Sequence, residues 1–305
     1  MRPAISEDTI LAAVTRDFGH VSAVHRVSPG EESLAFGIRV GGEEFIVRAN
    51  RSPSGFHKDA YCHQQFGSAA LPIPEIVLIG ETEDLPYCIS RRAAGVTLQD
   101  LAPAALPGVT AAVAQAMQAV ADAPLPETAG FGPFDSRGVG EHTHWRDFLA
   151  AVADPHRYDW SRVNALVSSR WCAEHMSKLQ DLLSGCPETR RLVHADFGSN
   201  NVLTDGVTIT GVIDWSEAMF GDPLYDAANI FFWRPWLACM EAQARFLEDH
   251  CPDLSHDALA LGCYQLRIGL AQVYECAIAK EIPDLCWAMK RCDEVAARLR
   301  PRTAK

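Results

Sequence analysis

The sequence predicts an α+β chain in two lobes, a small strand-rich lobe over residues 1–92 and a larger, mostly helical lobe over residues 93–305. Three observations carry that expectation. Leu34, Phe36, Ile38 and Val40 alternate with Ser33, Ala35, Gly37 and Arg39, the period of two of a half-buried strand. Beyond Gly95 the period changes: Val109, Val113, Met117 and Val120 recur at helical spacing, with Ala112 and Ala116 between them. The length of 305 residues, 48% hydrophobic and 22% charged, allows one large domain or two modest ones with a real core.

The elements follow in order. Gly41-Gly42 can take the positive φ angles of a tight turn, and Glu44 to Ala49 reads as the returning strand. A helix is expected from Lys58 to Ser68, ended by Pro72 and Pro74. Ile76 to Ile79 and Tyr87 to Ser90 suggest two further strands, and Ser90 to Gly95 forms the junction between lobes. Trp145 to Val152, Val163 to Leu183, Tyr225 to Met240 and two segments after Asp257 read as helices. In the second lobe strand signal is read only at Leu192-Val193 and from Asn201 to Asp214.

Composition excludes several classes. With 27 Lys+Arg against 39 Asp+Glu the net charge is −12, which opposes nucleic acid and anionic membrane as partners. No stretch approaches the roughly eighteen apolar residues of a membrane span, and Met1 to Asp8 has no apolar signal core, so a cytoplasmic protein is expected. Ten cysteines without a C-x-x-C pair are expected to be reduced thiols. The amphipathic helices can all be used by one chain's core, so a monomer is expected.

The chemistry concentrates in Leu192-Val193-His194-Ala195-Asp196-Phe197-Gly198-Ser199-Asn200-Asn201-Val202-Leu203, a strand, a polar loop and a second strand. Asp205-Gly206 makes a turn, and Thr208 to Ile213 runs back toward Asp214. Ideal pairing leaves Asp214 several residues past the neighbour of Asn201, so bringing the two together requires a bend. Mg²⁺ favours oxygen ligands and is usually held by one or two side chains plus substrate phosphates, a role that suits Asn201 and Asp214. A further carboxylate, Asp196, can accept the proton of a substrate hydroxyl during phosphoryl transfer. Any one of these residues could merely cap a turn. His194-x-Asp196-x-x-x-x-Asn201 followed thirteen residues later by Asp214 is a kinase-like set, suited to Mg²⁺ and the transfer of a phosphoryl group.

Leu192 to Asp226 resembles the aminoglycoside phosphotransferase family. Further similar stretches run in the same order along nearly the whole chain, among them Ala70-Leu71-Pro72-Ile73-Pro74-Glu75, Gly95 to Asp100, Trp145 to Phe148 and Asn229 to Met240. The resemblance implies a two-lobed protein-kinase-like fold, ATP as donor and an aminoglycoside hydroxyl, above all on hygromycin B, as acceptor. It also implies roles: Asp196 as catalytic base, Asn201 and Asp214 as magnesium ligands, and His194 as a structural residue of the loop. Pro29 to Ala35, with Gly30 and Ser33, falls where the family places its phosphate-covering turn. Adenine is expected against the backbone of Arg91 and Ala93.

One departure is informative. Arg48 stands where related kinases carry a phosphate-contacting lysine, and Asp59 where they carry its acidic partner. A longer cation with a shorter acid can span the same gap, though a guanidinium is a fork rather than a point charge. Lys58 is an outside candidate for the same role. On the acceptor side Glu217 could face substrate ammonium groups, while Asp222 and Asp226 are read as structural. Trp233 and Trp236 lie three apart on one helix face beside Pro235. Such aromatics serve equally as core or as a platform for sugar rings and cations. Two alternatives remain open at this point: a kinase of another small hydroxylated cation or sugar metabolite, and a catalytically silent nucleotide- or drug-binding protein.

Overall fold

The computed structural model describes residues 6–27, 34–82, 85–251 and 258–299. Helix α1 (Glu7–Asp17) is capped by Ser6, whose hydroxyl accepts the Thr9 N–H at 3.1 Å. Five strands follow, interrupted by one helix: β1 (Val21–Arg26), β2 (Leu34–Val40), β3 (Glu43–Ala49), α2 (Ser54–Phe66), β4 (Ile76–Thr82) and β5 (Leu85–Arg91). They form an antiparallel sheet in the order β1-β2-β3-β5-β4. Phe36, Ile38, Val47, Tyr87 and Ile89 make one face of its core, and Ile10, Ala13 and Val14 of α1 pack onto it.

The β2–β3 hairpin forms as the alternation indicates, with Val40 opposite Glu43 and with Gly41 and Gly42 at φ 59° and 90°. Helix α2 begins four residues before its expected start, at Ser54, and ends at Phe66 rather than Ser68. Helix α1 had no counterpart in the sequence reading, because three buried positions in eleven residues make a weak period.

The second lobe opens with β6 (Val96–Thr97) and α3 (Leu106–Asp122). It continues with β7 (Phe131–Phe134), β8 (Gly140–His142), α4 (Trp145–Ala150), α5 (Ser169–Leu183), β9 (Arg191–Val193), β10 (Val202–Thr204), β11 (Ile209–Val212) and β12 (Met219–Gly221). Helices α6 (Leu224–Trp233), α7 (Ala238–His250), α8 (Ala258–Ala279) and α9 (Ile282–Arg298) complete it. Two small sheets, β11-β10-β6 and β8-β7-β12-β9, lie among these helices.

Three expectations are corrected here. Strands β6, β7, β8 and β12 were not foreseen, since segments of two to four residues are too short to show alternation. The helix read from Val163 starts at Ser169, where the Ser168 hydroxyl accepts the Trp171 N–H at 3.2 Å. The helix read from Tyr225 to Met240 is two helices, broken between Trp233 and Ala238 around Pro235, which cannot donate a backbone bond.

All ten cysteines are free thiols; eight are buried, Cys251 is half-buried and Cys286 is exposed. Among the described residues no helix is long and apolar enough to cross a membrane.

Candidate active site

Strand β9 delivers the chain into the loop 194–201, and the first turn of α6 fixes that loop from beneath. Asp226 accepts the His194 N–H at 3.0 Å and the Ala195 N–H at 2.7 Å. These bonds hold Ala195 at φ 71°, a conformation that non-glycine residues seldom adopt. Burial pushes the Asp226 carboxyl up to about 7, against the pull of those two N–H groups.

His194 is fully buried, with Nε2 3.0 Å from the Ile213 carbonyl and Nδ1 3.3 Å from the Asp196 N–H. Nε2 therefore carries the proton and Nδ1 accepts. Burial lowers its pKa to about 4, so the ring is neutral at physiological pH, as its structural reading requires. Asn201 is buried and donates Nδ2 to the Asp196 carbonyl at 3.0 Å and to its carboxylate at 2.7 Å. Asp196 itself lies at the exposed end of this arrangement.

The hairpin brings Asp214 closer to Asn201 than ideal pairing suggested. Val202 faces Val212, a register shift falls between Leu203 and Thr204, and the Ile213 N–H donates to the Asn201 carbonyl at 2.9 Å. Asn201 thus has Ile213 as its neighbour, and Asp214 is the next residue. The required bend is Asp214 itself, at φ 60°. The Ser216 hydroxyl donates to Asp214 Oδ1 at 2.9 Å.

The first lobe meets this loop through β3 and α2. Arg48 is ion-paired with Asp59, as the departure in sequence anticipated. The second Asp59 oxygen accepts the Trp215 N–H at 2.8 Å. Burial pushes the Asp59 carboxyl up and Arg48 pulls it back. Lys58 does not share the place of Arg48: its ammonium donates to the Ser216 carbonyl at 2.9 Å and lies 4.5 Å from the centre of the Phe134 ring.

Gly30 and Ser33 lie outside the described residues. The Arg91 N–H does not await a ligand, since it donates to the Glu75 carbonyl at 2.9 Å. Its backbone offers adenine at most the carbonyl. Ala93 packs over β11, its methyl 2.7 Å from where a Cβ on Gly211 would stand.

Of the residues read for the acceptor, Glu217 is exposed and Trp236 is 46% exposed. Trp233 is half-buried and stacks on Trp287 of α9, with centroids 5.1 Å apart and planes 8° from parallel. Trp236 meets the same Trp287 edge-on at 4.7 Å. Among the described residues no group of three or more His, Cys, Asp and Glu is arranged to hold a metal. Asn201 and Asp214 fit instead the sparse oxygen set that Mg²⁺ shares with phosphates.

Residues 23–260 match the family described as the phosphotransferase enzyme family. The chain belongs to that family. It is 51% identical over 295 residues to the hygromycin-B 4-O-kinase of Escherichia coli, an alignment that covers 96% of this chain and 86% of that one. It superposes on the crystal structure of the aminoglycoside phosphotransferase APH(4)-Ia with a TM-score of 0.91 at 51% identity, covering 96% of this chain and 99% of that one. A thermostable mutant of the same protein, in ternary complex with AMP-PNP and hygromycin B, matches with a TM-score of 0.90 at 52% identity over 95% and 98% of the two chains. The fold is accordingly the two-lobed kinase-like fold of this phosphotransferase family.

Further contacts shape the phosphotransferase site, some at residues already read from sequence and some at residues that escaped it. Asp222, read as structural, accepts the Leu224 N–H at 3.1 Å and the Tyr264 hydroxyl at 2.8 Å. Tyr264 in turn accepts the Trp145 Nε1–H at 3.1 Å. Asn229 donates to the Phe197 carbonyl at 3.4 Å. Gly198 sits at φ 110° against α7, where a Cβ would come within 2.7 Å of Met240 Cε. Gly198 and Asp222 carried local signals; Tyr264 of α8 and Asn229 of α6 join the site across the fold, and neither was singled out from sequence.

Proposed function

We infer that the chain is a kinase that transfers the γ-phosphoryl group of ATP to a hydroxyl of an aminoglycoside, the 4-hydroxyl of hygromycin B. The observation that carries this reading is the joining of Asp196, Asn201 and Asp214 in one loop-and-hairpin unit, in a chain 51% identical to a hygromycin-B 4-O-kinase. Residues 1–92 bind the nucleotide and residues 93–305 the acceptor.

Asp196 orients the acceptor hydroxyl and takes its proton, while the Asn201 amide fixes the carboxylate that receives it. Asn201 and Asp214 hold Mg²⁺, which when bound supplies positive charge to the phosphates. Arg48, kept in place by Asp59, adds a cation on the nucleotide side. Catalysis of this kind depends chiefly on positioning and charge, so the proton need not leave early. Ala93 and the Arg91 carbonyl border the adenine. Glu217 and the Trp233–Trp236 face receive the ammonium groups and rings of the drug.

The charge of −12 suits a polycationic acceptor and disfavours ATP, so the local cations have a definite task. Crystal structures of the relative hold hygromycin B and nucleotide even where one aspartate, or either of two consecutive asparagines, has been changed to alanine. The same order of residues occurs here at Asp196, Asn200 and Asn201, which supports separating the work of Asp196 from ligand binding. Adding phosphate to the drug adds negative charge and bulk, opposes its binding to ribosomal RNA and confers resistance. The reading is of a cytoplasmic enzyme working as a monomer.

The test is steady-state ADP release with Mg·ATP and hygromycin B, kanamycin, neomycin, streptomycin or choline, each beside the Asp196→Asn variant. Turnover on hygromycin B that the variant lacks is expected. Turnover on another acceptor alone would keep the kinase and overturn the substrate. Nucleotide binding without turnover on any acceptor would count against catalysis.

A further inference from the structure

Helix α2 grips the segment after Asp214 with two consecutive side chains. Asp59 accepts the Trp215 N–H at 2.8 Å, and Lys58 donates to the Ser216 carbonyl at 2.9 Å. The Ser216 hydroxyl then donates to Asp214 Oδ1 at 2.9 Å. Two hydrogen bonds, joined through the covalent frame of Ser216, thus link a first-lobe ammonium to the carboxylate read as a metal ligand.

Lys58 is 7% exposed, and burying an ammonium is costly unless its bonds are well placed. Packing alone does not call for it, because an apolar side chain of similar length would fill the space beside Phe134. Neutralising Asp59 does not call for it either, because Arg48 is already paired there. The bond it makes goes the other way, toward Ser216. The Phe134 ring, 4.5 Å from Nζ, adds cation–π attraction and so helps hold the ammonium in that direction. Ser216 presents its carbonyl to Lys58 and its hydroxyl to Asp214, so rotation of this residue away from Lys58 would also move the hydroxyl away from the carboxylate.

We propose that Lys58 is a positioning residue, holding Ser216 so that its hydroxyl sets the direction of the Asp214 carboxylate toward Mg²⁺. The proposal rests on Asp214 being a metal ligand. It assigns Lys58 no contact with phosphate or drug.

The test is calorimetric binding of AMP-PNP with and without Mg²⁺ to the full chain and to Lys58→Met, Lys58→Arg, Ser216→Ala, the Lys58→Met/Ser216→Ala double variant and Asp214→Asn. Lys58→Met should weaken binding about tenfold in Mg²⁺, the order of loss seen for outer partners of metal ligands, and leave metal-free binding unchanged. Lys58→Arg should recover most of it. The double variant should be no weaker than the worse single one, since both cut the same relay. Equal weakening with and without metal, or losses that add, would overturn the proposal. If melting curves show that Lys58→Met does not fold, Ser216→Ala decides: no metal-selective loss there overturns the relay. Asp214→Asn separates the two levels. A metal-selective loss in it but not in Lys58→Met sinks the Lys58 role alone, whereas no such loss in Asp214→Asn sinks the ligand reading and the Lys58 role with it.

Discussion

Asp59 bonds to the backbone of Trp215 across 156 residues of sequence, one carboxylate oxygen on that N–H at 2.8 Å and the other on Arg48. The two lobes are therefore tied at the point where nucleotide and metal are read to meet. Asp59→Ala leaves a half-buried guanidinium and a buried N–H without their partner. We expect it to cost about 3 kcal/mol of stability, and to lower kcat/KM for ATP more than for the acceptor. Chemical denaturation and steady-state kinetics would check both; an unchanged ATP term would detach Arg48 from the nucleotide.

Asp196→Asn keeps the size of the side chain and its place beside Asn201 but cannot take a proton at neutral pH. Turnover should fall by about 10²- to 10⁴-fold while nucleotide and drug still bind. Single-turnover phosphoryl transfer, run beside equilibrium binding, would reveal it. Near-normal turnover would remove Asp196 from the role of base.

His194 and Asp226 pull stability in opposite senses as pH changes. Burial holds His194 at about 4, below its unfolded value of about 6.5, so its contribution is complete above pH ~6.5 and is lost as pH falls toward 4. Burial holds Asp226 at about 7, above its unfolded value of about 3.9, so its contribution is complete below pH ~3.9 and is lost as pH rises toward 7. Between those limits the two slopes cancel. Asp226→Asn removes one of them, and its stability should rise with pH from about 4 to 6.5, relative to the unchanged chain, by about 1.4 kcal/mol per unit. Parallel profiles of the two proteins in denaturation across that window would refute the assignment.

Trp233 and Trp236 share Trp287 but differ in exposure, and their replacements should differ in kind. Trp233→Ala removes a stacked, half-buried ring and is expected to destabilise by about 3 kcal/mol. Trp236→Ala should cost much less stability and raise KM for hygromycin B with kcat held, the pattern of lost uniform binding. If KM stays put, Trp236 faces solvent without meeting the drug.

The loop 194–201 was legible because its residues are close in sequence and flanked by apolar strands. The β2–β3 hairpin was legible because Gly41-Gly42 punctuates a clean alternation. Local pattern could not convey distance. The hold of Lys58 and Asp59 on residues 215–216, the Tyr264–Asp222 bond and the stacking of Trp287 on Trp233 all join segments far apart in sequence. Nor could it show that Pro235 separates two helices rather than kinking one, because a proline constrains its own turn and leaves the direction of the next helix to packing. The Asn201–Asp214 approach was under-read for a smaller reason: a register shift in a four-residue strand has no signature.

The distribution of thiols offers a practical means of observing the surface around Trp233 and Trp236. Nine sulfurs are partly or wholly shielded, while Cys286 is exposed and adjoins Trp287 in the chain. A maleimide dye should therefore attach there first, giving a single reporter beside the tryptophan trio without engineering out the other cysteines. Indole quenching of that dye would then register any molecule that disturbs Trp233, Trp236 or Trp287, and so signal occupancy independently of phosphate transfer.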